Sequence, residues 1–530
     1  MEKRLTLAAS ALTLAAIGFL PVLAMIASSF YKHGAFSMAA YGTLLGSGKK
    51  LMPLIGHSLL LSVSVTFFAI VLGVPLGVLL GRTDLPLRRA LTVALTLPLL
   101  VPPYVAAVAW FNVVGSRGWI GRFLPPLTTE YLSSNLFGLY GCIGTLSTVF
   151  MPVVMLSTIA YLNTVNPRLE HAGLLVSRWP NVLWRISLPL ITPAVLFATI
   201  VVFLLALGEV SVPTFLRYPV YPLEILTQFA AFYDFSAATM AAIPLLVITA
   251  AILLLEMRFL HTPVLELSAA DPGRRSARIA LGPWRTPLFG IVLIWTLVTV
   301  ALPIAVLIVQ SVSTHAFAEA YARASDSLLR SLIFGAIGAS LLTVLGFLCG
   351  YLVHDRTLSW WRSVDALALF LFTLPGTVIG IGLISLWNRP ATNAVYATPA
   401  IIVLGYLAQY AFIPIRMMAA SLQRIPPSLE RAAELSGASW FMTARAIVAP
   451  MAKRGLMATW IIAYIFCLRD VGITMVVYPP GSDTLSIRTL TLMANGAPGL
   501  ISALCVILIM AMLLPLLMAV LWQIHAEQSA

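Results

Sequence analysis

Twelve apolar stretches, each close to the length of one bilayer crossing, constrain this chain more than any other feature. They fall near residues 5–28, 58–80, 91–114, 138–162, 192–215, 236–257, 286–310, 331–353, 366–388, 397–420, 455–477 and 499–523. A hydrocarbon core needs about 20 apolar residues per helix, and its dryness obliges every crossing segment to satisfy its own backbone. The expected fold is therefore all-α: a polytopic membrane protein of about twelve transmembrane helices. Composition agrees, since 60% hydrophobic and 10% charged residues exclude an ordinary soluble multi-domain chain. Glu2-Lys3-Arg4 precedes the first stretch like the start of a signal peptide, but the apolar run to about Ser28 is longer than a signal core and predicts an uncleaved helix.

The twelve stretches form two sets of six, because landmarks recur. A shift of 260 residues carries Pro167, Leu169, Glu170, Ala172 and Leu175 onto Pro427, Leu429, Glu430, Ala432 and Leu435. One further residue, a shift of 261, carries Trp179, Ile186 and Pro189 onto Trp440, Ile447 and Pro450. Ser58-Leu59-Leu60 likewise precedes a helix ending at Arg82-Thr83, as Ser331-Leu332-Ile333 precedes one ending at Arg356-Thr357. Thr96-Leu97-Pro98 with Trp110 pairs with Thr373-Leu374-Pro375 and Trp387 at a shift of 277. The reading is a fused repeat: a first half at 1–265 and a second at 286–530, joined by a basic, polar cytoplasmic linker at 266–285. An even number of spans per half gives both halves the same orientation, with the first span of each on the periphery.

Charge places the ends. Most of the 32 Lys and Arg residues fall on one side of the spans, which predicts that both termini are cytoplasmic. The formal net charge of +13 belongs to this bias and to anionic membrane lipid, and does not indicate nucleic acid. The four cysteines, Cys142, Cys349, Cys467 and Cys505, are scattered in apolar sequence and read as small core residues, so neither a metal site nor a disulfide is expected. Gly46-Ser47-Gly48-Lys49-Lys50 lacks a phosphate-binding loop's first Gly and final Ser or Thr, with Thr43 and Lys50 in those places. The chain is accordingly expected to be no enzyme and to bind no cofactor itself.

The repeated element at 167–189 and 427–450 sits between spans in both halves. Leu169, Ala172, Gly173 and Val176, like Leu429, Ala432, Ala433 and Ser436, recur at helical spacing and leave small side chains on a face that another surface can approach. Glu170 and Glu430 lie near the helix starts, where the macrodipole favours a carboxylate by about 0.3–1 kcal/mol. Ser177 or Gly437 then permits a turn before a second short run, giving a helix-turn-helix at the cytoplasmic face.

This element resembles the signature of type I ABC importer permeases: Glu-Ala-Ala, three residues, Gly, nine residues, Ile-x-Leu-Pro. Ala432, Ala433, Gly437, Ile447 and Pro450 match it, and Ile186, Leu188 and Pro189 match its end. Arg431 stands at the Glu position with Glu430 one residue earlier, His171 replaces an Ala, Ser177 lies near the Gly position, and Ala449 replaces Leu. The resemblance implies coupling helices, with Glu170, Ala172, Ser177, Pro189, Glu430, Ala432, Ala433, Gly437 and Pro450 as ATPase-coupling positions. It also implies two ATP-binding subunits that carry the ATP, a periplasmic solute-binding protein, and a bacterial inner membrane. Asp470-Val471-Gly472 and Tyr478-Pro479-Pro480-Gly481 look most like the iron(III) and thiamine importers, which implies a cationic solute.

One further pair bears on the solute. Glu209 and Asp470 each lie 20 residues beyond the closing proline of their motif, about 30 Å of helix toward the far side. Ionisable groups in spans are costly and usually face a path or a partner, so Glu209, Asp470 and Arg469 are substrate-path candidates. The competing roles are local pairs, Asp470 with Arg469 or Arg488 and Glu209 with Arg217. The alternative class is a major-facilitator carrier, also twelve spans in two parallel halves, to which Gly81-Arg82-Thr83-Asp84-Leu85-Pro86-Leu87-Arg88-Arg89 bears some likeness. Such a carrier, however, has its main cytoplasmic loop between spans six and seven. Here the signature follows spans four and ten.

Overall fold

The computed structural model describes residues 2–32, 35–36, 46, 48–116, 118–232, 235–259, 278–312, 315–356 and 358–528. Residues 266–277 of the expected linker, and Thr43 and Ser47 of the phosphate-loop comparison, lie outside the described residues. Among those described, eight helices are long and apolar enough to cross a membrane, or twelve when each of four bent pairs counts as one span. The fold is all-α and multi-pass; among the described residues, strand pairing amounts to a two-residue antiparallel ladder, Tyr31–Lys32 on Ala35–Phe36, and one parallel bridge between Thr83 and Ile279.

The bends fall where the sequence denies helix. Spans three and nine are each two helices, Arg88–Leu100 with Pro103–Val114 and Trp361–Thr373 with Gly376–Trp387, meeting at 104° and 107°. Val101 precedes Pro102 and Leu374 precedes Pro375, and a residue before proline is pushed out of the α region; both are extended here. A shift of 273 superposes all four boundaries. The repeat partner of Pro375 is therefore Pro102, and the expected pairing at a shift of 277 is displaced by one helical turn. Pro98 lies inside its helix, where repeating Thr-Leu-Pro letters imitate the true equivalence.

Ser58 and Ser331 also prove internal to their helices, which run Gly48–Arg82 and Ala316–Asp355 and begin well before the apolar stretches. Their roles are nonetheless equivalent: Ser58 Oγ accepts from Tyr221 N at 2.8 Å and Ser331 Oγ from Leu485 N at 2.7 Å, each at the start of a later helix.

The described chain divides into two compact units, one of residues 49–223 and 248–310, the other of residues 1–48, 224–247 and 311–530. Each unit thus takes its first span from the opposite half of the sequence. The span from Glu2 to Ser29 packs along Gly376–Trp387 and Ala316–Asp355, whereas Arg285–Thr296 packs on Arg88–Leu100. Both exchanged spans carry a π-turn, Ala15–Phe19 and Leu297–Ala301, followed by Leu-Pro. The π-turn frees backbone groups just where the proline withdraws its own donor.

Within each unit one helix pair is drawn together by small residues. A Cβ on Gly73 or Gly77 would lie 2.9 Å from Val154 Cβ or 2.6 Å from Thr158 Cβ, and one on Gly346 or Gly350 would lie 2.4 Å from Pro414 Cβ or 2.8 Å from the Ile415 carbonyl. These Gly-x-x-x-Gly faces let the long second helix of each half seat against the helix that leads into the signature loop, a packing mode that membrane helices favour.

Candidate functional site

Each signature loop is built alike. Pro167–Leu174 and Pro427–Leu435 form the first helices, Trp179–Val182 and Trp440–Thr443 the second, and π-turns Leu183–Ser187 and Ala444–Val448 follow. Asn166 caps Pro167–Leu174 through Oδ1, accepting from Arg168 N at 3.0 Å, whereas in the second copy the side-chain cap is on the second helix, Trp440–Thr443, where Ser439 Oγ accepts from Met442 N at 3.3 Å. The small residue of the signature serves the loop's own packing: a Cβ on Gly173 would lie 2.7 Å from Ile186 Cδ1, and its repeat partner Ala433 is buried. This is the physical reason for a small side chain at the seventh position of the helix and an isoleucine further on.

The outward face is apolar instead. Leu175, Val176 and Leu435 are 90%, 89% and 91% exposed at the tips of the first helices. Ala172, Ala432, Gly437, Pro189 and Pro450 are also exposed, and Ser177 is half-buried, its hydroxyl accepting from Asn181 Nδ2 at 3.0 Å. Gly437 has φ of +80°, and Ala438 N donates to the Ala433 carbonyl at 3.0 Å, so the second loop closes through a left-handed glycine. The first loop turns without one: Ser177 N donates to the Gly173 carbonyl at 2.9 Å.

The glutamates are held from behind. Glu170 Oε1 lies 3.1 Å from Arg82 Nη2, both side chains being 1% exposed, and accepts from Ser187 Oγ at 2.7 Å. Arg82 Nη2 also donates to the Leu162 carbonyl at 2.5 Å. Glu430 Oε2 accepts instead from the Tyr351 hydroxyl, whose ring meets Trp440 edge-on at 5.5 Å. Sequence reading missed Arg82 and Tyr351. Arg82 was visible as a cation closing a span, although the acid nearest it in sequence, Asp84, turns instead to Leu281 and Arg285, whereas Tyr351 carries no signal short of the fold.

The acidic pair stands at helix interruptions. The helices end at Leu207 and Arg469, so neither group is inside a continuous span as expected, because Gly208 and the extended backbone at Asp470 end each run. The second half also departs from a straight rise after Pro450: Trp440–Met451 and Lys453–Arg469 meet at 80°, where Gly455 allows close approach to Ser421. Glu209 Oε1 accepts from Ser211 N at 2.8 Å, from Val212 N at 3.4 Å and from the Ser211 hydroxyl. Asp470 is buried; Oδ2 accepts from Thr474 N at 2.9 Å and Thr474 Oγ1 at 2.6 Å, and Oδ1 from Tyr410 Oη at 2.7 Å. The neighbouring Gln409 Nε2 donates to the Leu374 carbonyl at 3.3 Å, at the break of span nine. Arg469 lies over the Phe466 ring at 4.9 Å, Arg488 Nε donates to the Arg323 carbonyl at 3.0 Å, and Arg217 lies over Phe137 at 5.5 Å. Among the described residues no group of three or more His, Cys, Asp or Glu side chains is arranged to hold a metal ion.

Known proteins share this sequence broadly. The chain is 24% identical over 475 residues to a putative ferric transport system permease protein, FbpB 1, of Haemophilus influenzae, covering 85% of this chain and 74% of that one. It is 23% identical over 521 residues to the ferric transport system permease protein FbpB of Actinobacillus pleuropneumoniae, covering 93% and 74%. A shorter segment of 157 residues is 32% identical to the molybdenum transport system permease protein ModB of Mycobacterium tuberculosis, covering 29% and 58%. No family model matches the chain. Twelve-span architecture, duplicated loop and relatives together define an importer permease of the ABC class, a transport subunit in a multi-pass membrane setting. Within that class the chain resembles the fused ferric permeases.

Proposed function

We propose that the chain conducts ferric ion, or a similarly cationic solute, from a periplasmic binding protein across a bacterial inner membrane, driven by ATP hydrolysed on two separate subunits. The observation that carries the reading is the double occurrence of one loop geometry, each copy ending in an exposed aliphatic tip, Leu175 with Val176 and Leu435. An aliphatic tip on a short helix braced from behind is suited to enter a cleft on a partner, and two copies suit two partners. Both termini lie on the side of these loops, because an even number of spans precedes each. ATP stays with the partner subunits, and the chain holds no cofactor of its own.

Glu209, Asp470 and Arg469 are proposed as path residues, and their settings suggest different duties. Asp470 is enclosed and uses both oxygens internally, which suits fixing the interrupted helix. Glu209 is half-buried and takes its hydrogen bonds on Oε1. Docking is tested by cross-linking. The four native cysteines are buried, so Leu175→Cys and Leu435→Cys supply the accessible thiols for reaction with co-expressed ATP-binding subunits. Bifunctional maleimides are expected to join both positions to those subunits; adducts at neither position contradict the reading.

A further inference from the structure

In both units the braced glutamate lies one residue away from the start of an exchanged span, and the connection can be followed atom by atom. Arg82 holds Glu170 through its side chain while its carbonyl accepts from Ile279 N at 2.8 Å. Asp84 extends the tie: its N donates to the Ile279 carbonyl at 3.2 Å, its Oδ1 accepts from Leu281 N at 3.0 Å, and its Oδ2 lies 3.9 Å from Arg285 Nε. The chain entering the seventh span is thus fixed to the same helix end that grips the first docking helix.

The other unit reaches the same result with different groups. Tyr351 donates to Glu430, and Lys3 Nζ lies 5.0 Å from the centre of the Tyr351 ring and 2.7 Å from Asp355 Oδ2. The shift of 282 that carries Ala15–Phe19 onto Leu297–Ala301 also carries Lys3 onto Arg285. Each exchanged span therefore opens with a cation paired to an aspartate at the end of a long second helix, one contact from the glutamate brace.

We infer that Arg82 and Tyr351 are positioning residues that fix the docking helices Pro167–Leu174 and Pro427–Leu435 relative to the starts of the exchanged spans, so that movement of either docking helix is felt at Ile279–Arg285 or at Lys3. The inference rests on the docking reading of these loops. Its physical basis is that a buried ion pair and a ring contact are short-ranged: a docking helix that shifts by an ångström or two must break them or carry them along.

The test is hydrogen exchange on the full-length chain in lipid nanodiscs, which needs no ATP-binding subunit; a failure to cross-link such subunits would count against the docking reading and leave this measurement standing. Tyr351→Phe keeps the ring and removes only the donor to Glu430. It is expected to raise exchange across 427–435 about fivefold, the loss of one hydrogen bond, and to leave 167–174 unchanged. Lys3→Gln removes the cation that meets Tyr351 and Asp355 and leaves the donor to Glu430 in place, yet is expected to raise exchange across 427–435 as well. Arg82→Gln is expected to raise exchange across both 167–174 and 278–285, and Arg82→Lys to restore part of the protection. Wild-type exchange across 427–435 in Lys3→Gln overturns the inference, because a purely local brace would give that result. Should Arg82→Gln loosen its whole unit, the Lys3→Gln measurement still decides.

Discussion

The two signature loops share the order helix, turn, helix and π-turn but differ in their braces. Glu170 is gripped by Arg82 and Ser187, whereas Glu430 is gripped by Tyr351. The repeat partners show the exchange directly. Val78 stands where Tyr351 does, and Val448 where Ser187 does. Asp355 falls where Arg82 does, and Arg356, one residue later, has φ of +53° and stacks on Trp361 at 5.1 Å. What both copies keep is shape: the proline breaks, the π-turns, the glycine faces and a glutamate fixed from behind. The side chains that fix it are replaceable, provided one donor reaches the carboxylate.

That contrast predicts unequal losses. Removing one member of a buried ion pair leaves an uncompensated charge, so Arg82→Met is expected to lower unfolding stability in mild detergent by about 3–5 kcal/mol, and the double variant with Glu170→Met to recover most of it. Arg356→Met, losing an exposed stacking contact, is expected to cost about 0.5–1 kcal/mol. Equal losses from the two arginines would erase the distinction between the braces.

Where the units share a device, their losses are expected to match. Gly77→Ala and Gly350→Ala each force a methyl into the backbone or Cβ of the facing helix, and both are expected to cost about 1–3 kcal/mol in the same unfolding assay. The acidic turns separate the units again. Asp470→Asn disturbs a buried acceptor of three hydrogen bonds and is expected to cost about 1–3 kcal/mol, with Glu209→Gln costing less because its environment is half open. Smallest is Gly437→Ala, about 1 kcal/mol for a left-handed residue, read as faster exchange at the loop alone; Ser177→Ala is expected to stay within about 0.5 kcal/mol of wild type.

Much of this architecture was legible in the chain itself. Apolar length fixes the spans, and the repeated Pro-x-Leu-Glu with its later Trp and Ile-x-x-Pro locates both loops, because helical spacing and a closing proline are local properties. Span exchange was not legible: Leu20-Pro21 and Leu302-Pro303 reveal kindred helices, but no local pattern states which unit a peripheral span joins. The breaks at Pro102 and Pro375 were obscured by Thr96-Leu97-Pro98, whose letters imitate the second copy while its backbone remains helical. At the loops, the small-residue face was read as open to a partner, yet Gly173 and Ala433 turn onto the chain's own next helix and leave Leu175, Val176 and Leu435 outermost. Tyr351 lies 79 residues from the glutamate it holds, a separation at which only the fold makes neighbours.

The central claim is that two braced loops couple this permease to ATP hydrolysis. Its most direct test is uptake of radiolabelled ferric ion by proteoliposomes holding the chain with its ATP-binding subunits, with the periplasmic binding protein supplied on the outer face. The account predicts uptake that requires ATP, resists a protonophore, and is lost when Leu175→Asp and Leu435→Asp are combined. Uptake that persists without the ATP-binding subunits and collapses with the proton gradient would contradict it and identify a secondary carrier.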